Sequence, residues 1–86
     1  MTSRTILDID LRKVLSRIEQ RYRVKLPRNV LAVDYGDRGD LYIRFKHVER
    51  PLGEPATDGL AIFFYEDHHR QAVAVEILDL NTLLRD

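Results

Sequence analysis

Asp58-Gly59-Leu60-Ala61-Ile62-Phe63-Phe64-Tyr65-Glu66-Asp67 sets six consecutive apolar residues between a turn signal and a pair of acids. A run of that length, aromatic towards its end and punctuated on both sides, predicts a strand over residues 60–66 buried on both faces. Such a strand belongs at the centre of a sheet and needs a covering layer on each side.

Three more strands are expected around it. Residues 30–35 read as a short strand. The loop Gly36-Asp37-Arg38-Gly39-Asp40 supplies glycines for positive φ and acids for Asx-type turns. Asp40 is expected to bond loop amides and start the next strand. Residues 41–48 alternate, with Leu41, Ile43 and Phe45 on one face and Tyr42, Arg44 and Lys46 on the other. Glu49 to Thr57, with Pro51, Gly53 and Pro55, reads as a loop. Residues 67–71 read as a polar hairpin connection. Residues 72–78 form the last strand, with Val73, Val75 and Ile77 alternating against Ala72, Ala74 and Glu76.

Ahead of the strands, Leu11, Val14, Leu15, Ile18 and Tyr22 recur at offsets of three and four, which predicts an amphipathic helix over residues 9–23. Asp8 or Asp10 suits its N-cap, and Arg21, Arg23 and Lys25 suit the negative end of its dipole. Pro27 is expected to stop it. At the other end of the chain, Asp79 or Asn81 can cap a short helical turn carrying Leu80, Leu83 and Leu84. Short links between consecutive strands favour antiparallel neighbours. The fold class expected is therefore α+β: an N-terminal amphipathic helix packed on a four-stranded antiparallel meander, with a short C-terminal helical turn. Residues 1–86 are read as a single domain, in which 1–29 form a helical extension and 30–86 the sheet domain. The expected core combines Leu41, Ile43, Phe45, Val73, Val75 and Ile77 with Leu11, Val14, Leu15 and Ile18.

Size and composition narrow the function. At 86 residues the folded chain exposes roughly 5,300 Å² against about 14,600 Å² when open, enough for one small core. A composition 44% hydrophobic and 33% charged fits a globular domain rather than a disordered one. The lack of cysteine excludes disulfide and thiolate chemistry. No apolar run reaches membrane-spanning length and no signal-peptide layout is present, so a cytoplasmic protein without membrane partners is expected. The net charge is zero, yet residues 1–30 carry eight Lys and Arg against three Asp and Glu, and residues 31–86 carry six against eleven. A basic helix lying on an acidic sheet explains that asymmetry, as does an anionic partner.

Asp40-Leu41-Tyr42-Ile43, then Asp58-Gly59 opening a strand, then Val75-Glu76-Ile77-Leu78-Asp79 resemble, in order and spacing, the signature segments of domain-of-unknown-function family 2283. The resemblance covers about residues 33–80. It departs at Asp34-Tyr35, where the family has Tyr-Asp, at Ala74, where the family tends to glycine, and in the added N-terminal helix. It implies a small sheet-rich domain with no assigned catalytic residue. Because some relatives are encoded beside small toxin-like proteins, the resemblance also leaves room for an antitoxin-like role with a toxin-like partner.

Reactive constellations are sparse. His68 and His69 are adjacent and would point to opposite faces of a strand, and a zinc site with His47 would need added carboxylates. Asp34, Asp37 and Asp40 lack the spacing of a calcium loop and are explained by turn chemistry. No serine or threonine sits in a glycine-flanked elbow, and no glycine-rich phosphate loop exists. Neither a catalytic residue, a metal site nor a cofactor is assigned. Lys13, Arg17 and Arg21, four residues apart, form a basic ridge that can meet nucleic-acid phosphates without reading bases. Glu19 is placed to pair with Arg23.

These residues predict a non-catalytic protein-interaction domain acting as a homodimer. A nucleic-acid-associated or antitoxin-like protein using the ridge is the alternative, and a metal-dependent enzyme around His47, His68 and His69 is a third reading. The dimer follows from the strand at 60–66: one helix covers one face only, which leaves Ala61, Phe63 and Tyr65, with Leu83 and Leu84, for a two-fold partner. If the faces are reversed, Ile62 and Phe64 take that place.

Overall fold

In the computed structural model, which describes residues 10–66 and 71–85, the chain turns helical at Asp10. Asp10 is extended, and its carboxylate accepts the Lys13 N–H at 3.3 Å, capping helix α1 (Leu11–Tyr22). The other candidate cap, Asp8, lies outside the described residues. The helix ends ahead of Pro27. Arg23 adopts the left-handed conformation at φ 57° and donates its N–H to the Glu19 carbonyl, a C-cap usually left to glycine. The Glu19 carboxylate turns from Arg23 to the segment beyond: it accepts the Leu26 N–H at 2.8 Å and lies 3.7 Å from Arg28 Nη1. That bond folds the chain back and places Leu26 in the core.

Five strands follow among the described residues: β1 (Ala32–Tyr35), β2 (Leu41–Arg44), β3 (Leu52–Pro55), β4 (Ala61–Tyr65) and β5 (Ala72–Ile77). A short helix, α2 (Leu80–Arg85), follows them. The sheet is antiparallel throughout, in the order β1-β2-β5-β4-β3. This corrects the four-stranded meander in two respects. The segment read as a loop contains β3, an exposed edge strand, where Pro55 and Gly53 are tolerated because one side needs no ladder. The centre belongs to β5, which returns between β2 and β4.

Strand β5 is therefore the one buried along nearly its whole length, and its small Ala and Val side chains suit that position. Strand β4 alternates instead, with Ala61 and Phe63 buried and Ile62 and Phe64 half-buried. An apolar run thus marks a neighbour of the centre, covered fully on one face only.

Both helices contribute to the core on a single face of the sheet. Val14, Leu15 and Ile18 of α1 and Leu80 and Leu83 of α2 pack with Leu41, Ile43, Phe45, Phe63, Val75 and Ile77. Leu11 is partly buried against this cluster. Val73 is buried as expected, at 5% exposure, but it lies outside this contact cluster. A register shift at Phe64/Tyr65 pairs Phe64 with Ala74 and Tyr65 with Ala72, leaving Val73 as the extra residue of a bulge. Its carbonyl accepts the N–H groups of both Phe45 and Lys46, at 2.8 and 3.2 Å. Ala72, read from alternation alone as facing away, is buried as well and joins the cluster.

Asp79 caps α2 as expected: its carboxylate accepts the Thr82 N–H at 3.2 Å and the Thr82 hydroxyl at 2.8 Å. The Leu80 N–H donates to the Gly39 carbonyl, tying α2 to the β1–β2 turn. In that turn the Gly36 N–H donates to the backbone carbonyl of Asp40, not to its side chain. A Cβ on Gly36 would collide with the Asp40 carboxylate. No helix among the described residues is long and apolar enough to cross a membrane.

Candidate interaction surface

The strands that build the core also build a second face. Register places Asp34, Tyr42, Arg44, Ile62, Phe64, Ala74 and Glu76 on it, opposite the helices. Pairing of the Leu78 N–H with the Leu60 carbonyl carries the same face on to Leu60 and Leu78. The core residues of both helices pack on the other side of the sheet.

Its centre is aromatic. The Tyr42 and Phe64 rings meet edge to face, with centroids 5.8 Å apart and planes at 75°. They reach across β5 over Ala74, which is 1% exposed and flanked in register by Arg44 and Phe64. On its other side Phe64 lies over Gly53: a Cβ there would come within 2.9 Å of the ring. Gly53 is thus a seat for the ring on the edge strand. Tyr42, Ile62 and Phe64 all remain only half-buried in the single chain.

Two charges flank this centre. Arg44 stands opposite Ala74 and Glu76 opposite both Tyr42 and Ile62, so the two are diagonal neighbours across β2 and β5. Neither forms an ion pair with a described residue, and Arg44 Nε is shielded from solvent with no hydrogen-bond acceptor. A buried N–H without an acceptor is uncommon and costs free energy.

The residues first assigned to an interface sit elsewhere. Ala61, Phe63 and Leu83 are buried in the chain's own core, and Tyr65 and Leu84 pack partly buried against it. The faces of β4 are the reverse of that assignment, since α1 and α2 both lie over the Ala61/Phe63 side. Ile62 and Phe64 occupy the open side.

The basic ridge is drawn into the fold. Lys13 is exposed, but Arg17 Nη1 donates to the Leu83 carbonyl at 3.4 Å and Arg21 Nε pairs with Asp58 Oδ2 at 2.9 Å. Asp58 is the hub of that contact. Its carboxylate also accepts the Leu60 N–H at 3.0 Å, opening β4, and the Tyr22 hydroxyl at 3.0 and 3.1 Å. The Leu60 amide first, then Arg21 and Tyr22, hold the Asp58 carboxyl below the usual carboxylate range. Burial, and then the bond to Asp58, pushes the Tyr22 phenol up to about 12. The Tyr22 ring packs edge to face on Phe63, with centroids 5.3 Å apart, so the end of α1 is locked to the β3–β4 turn. The Asp58-Gly59 pair signals the turn in sequence; nothing local signals Arg21 and Tyr22 as its partners.

The histidines form no described site. His47 is exposed, and His68 and His69 lie outside the described residues. Among the described residues no group of three or more His, Asp or Glu is placed to hold a metal ion.

No family model, curated protein or solved structure matches the chain.

Proposed function

We propose that this chain is a non-catalytic protein-interaction domain that acts as a homodimer through the open face of its sheet. The observation carrying this reading is the placement of both helices on one face, which leaves Tyr42, Ile62 and Phe64 only partly buried on the other. Apolar surface of this kind, rimmed by charge, is what soluble proteins cover with a partner. A two-fold axis covers it with one self-complementary contact and adds buried area to a small core. Arg17 and Arg21 are engaged with Leu83 and Asp58, which leaves Lys13 as the outward-facing member of the ridge and favours the sheet face over the helix as the contact surface. The test is light scattering at micromolar concentration. A mass near twice 10.1 kDa is expected, falling towards the protomer when Ile62 or Phe64 is replaced by Glu. A wild-type mass of 10.1 kDa at high concentration would refute the reading.

A further inference from the structure

We infer that the two protomers are registered by a reciprocal ion pair, Arg44 of each with Glu76 of the other. This rests on the homodimer reading and deepens it from a face to a contact. Arg44 and Glu76 have opposite charge and share the open face, and neither pairs with a described residue of its own chain. They lie on the diagonal between β2 and β5. A two-fold axis lying between the facing sheets, and crossing the midpoint of that diagonal at right angles, exchanges the two positions. Each Arg44 then meets a Glu76, twice per dimer, around the Tyr42–Phe64 centre.

The orphaned Nε supplies the second reason. As the side chain lies, that N–H is shut off from solvent with nothing to accept it. Swinging the flexible stem outwards frees the N–H and presents the planar fork, whose geometry matches a carboxylate. Glu76 also needs a cation once water is excluded, because a carboxylate buried unpaired is costly. Opposite charges at fixed places set the register of an apolar contact that would otherwise be free to slide.

The test exploits the two-fold. In Arg44→Glu both contacts set carboxylate against carboxylate, and in Glu76→Lys both set cation against cation. Each variant alone is expected to raise the dimer dissociation constant by roughly tenfold or more, read by sedimentation equilibrium. Mixing the two restores complementarity at both contacts, so a species near twice 10.1 kDa is expected to return. A pair formed within one chain could not be repaired by mixing. If either variant fails to fold, wild type carries the test: its dissociation constant should rise between 50 and 500 mM salt, roughly as screening shortens the Debye length. A dimer whose dissociation constant ignores both charge reversals, or ignores salt, overturns the pairing and leaves the homodimer reading standing. Loss in both single variants with no recovery on mixing also overturns it. A monomeric wild type removes the homodimer reading itself.

Discussion

Phe63 and Phe64 are neighbours in sequence and point to opposite sides of one strand. Phe63 lies 5% exposed under the Tyr22 ring and both helices, among aliphatic side chains with no charge. Phe64 lies half-buried between Tyr42 and Gly53, beside an arginine and a glutamate. The same contrast runs across the sheet, where the covered side holds Leu41, Ile43, Val75 and Ile77, all at 0% exposure. A face covered permanently can be wholly apolar, since it never meets water after folding. On the proposed homodimer reading, the other face is covered only when two chains meet and must stay soluble in between. An aromatic centre with flanking charges fits that proposal, because it would offer area for association and polarity in a free protomer.

The largest effect expected is on the covered side. Phe63→Ala removes a buried ring and leaves a cavity, costing about 3–5 kcal/mol of unfolding free energy. Ile43→Ala should cost on the order of 1–4 kcal/mol for the same reason. Both losses should be independent of protein concentration. Phe64→Ala should cost the protomer less, about 1 kcal/mol, and should act mainly by lowering the mass at a given concentration. Equal losses at Phe63 and Phe64 in chemical denaturation would erase the distinction between the faces.

A smaller effect sharpens the contrast at its edge. The Asp58 hub fastens α1 to the covered side alone, so Asp58→Asn should destabilise by about 1 kcal/mol, reduced by solvent screening of the partly exposed pair. Its dissociation constant for the dimer should be unchanged. A mass shift in that variant would link the helix side to the interface and contradict the separation.

The smallest effect is in alkaline solution. Folding raises the Tyr22 phenol to about 12 from an ordinary value near 10, so the fold favours the protonated form. Its contribution to stability is complete below about pH 10 and is lost as pH rises from there towards 12. At acid pH the depressed Asp58 carboxyl acts in the opposite sense: its contribution is present above about pH 4 and is lost as pH falls through the folded value. Tyr22→Phe should flatten the alkaline slope of a stability profile and leave the acid side sloping.

Much of the covered side is legible in the chain. The three-and-four spacing from Leu11 to Tyr22 locates α1, Asp10 and Asp79 announce its start and that of α2, and alternation at Leu41, Ile43 and Phe45 assigns the face of β2. Such signals are local and periodic. What is missed depends on distant partners. Leu52-Gly53-Glu54-Pro55 has the composition of a loop and becomes a strand only because β4 offers it an edge. The run from Leu60 to Tyr65 has no alternation of its own, so its two sides differ only through what packs on them. The bulge at Val73 shifts alternation where composition stays smooth. The open face is unmarked for the same reason: Tyr42, Phe64 and Ala74 come together from three strands whose order no local pattern encodes.

Solvent paramagnetic relaxation of the two phenylalanine rings, followed by NMR over a dilution series, tests the central claim most directly. Phe63 should be protected at every concentration. Phe64, with Ile62, should be protected at high concentration and become accessible to a soluble relaxation agent as the dimer dissociates. Accessibility of Phe64 that stays constant across the series, whether high or low, would contradict the account, because the open face would then not be the surface that a second copy covers.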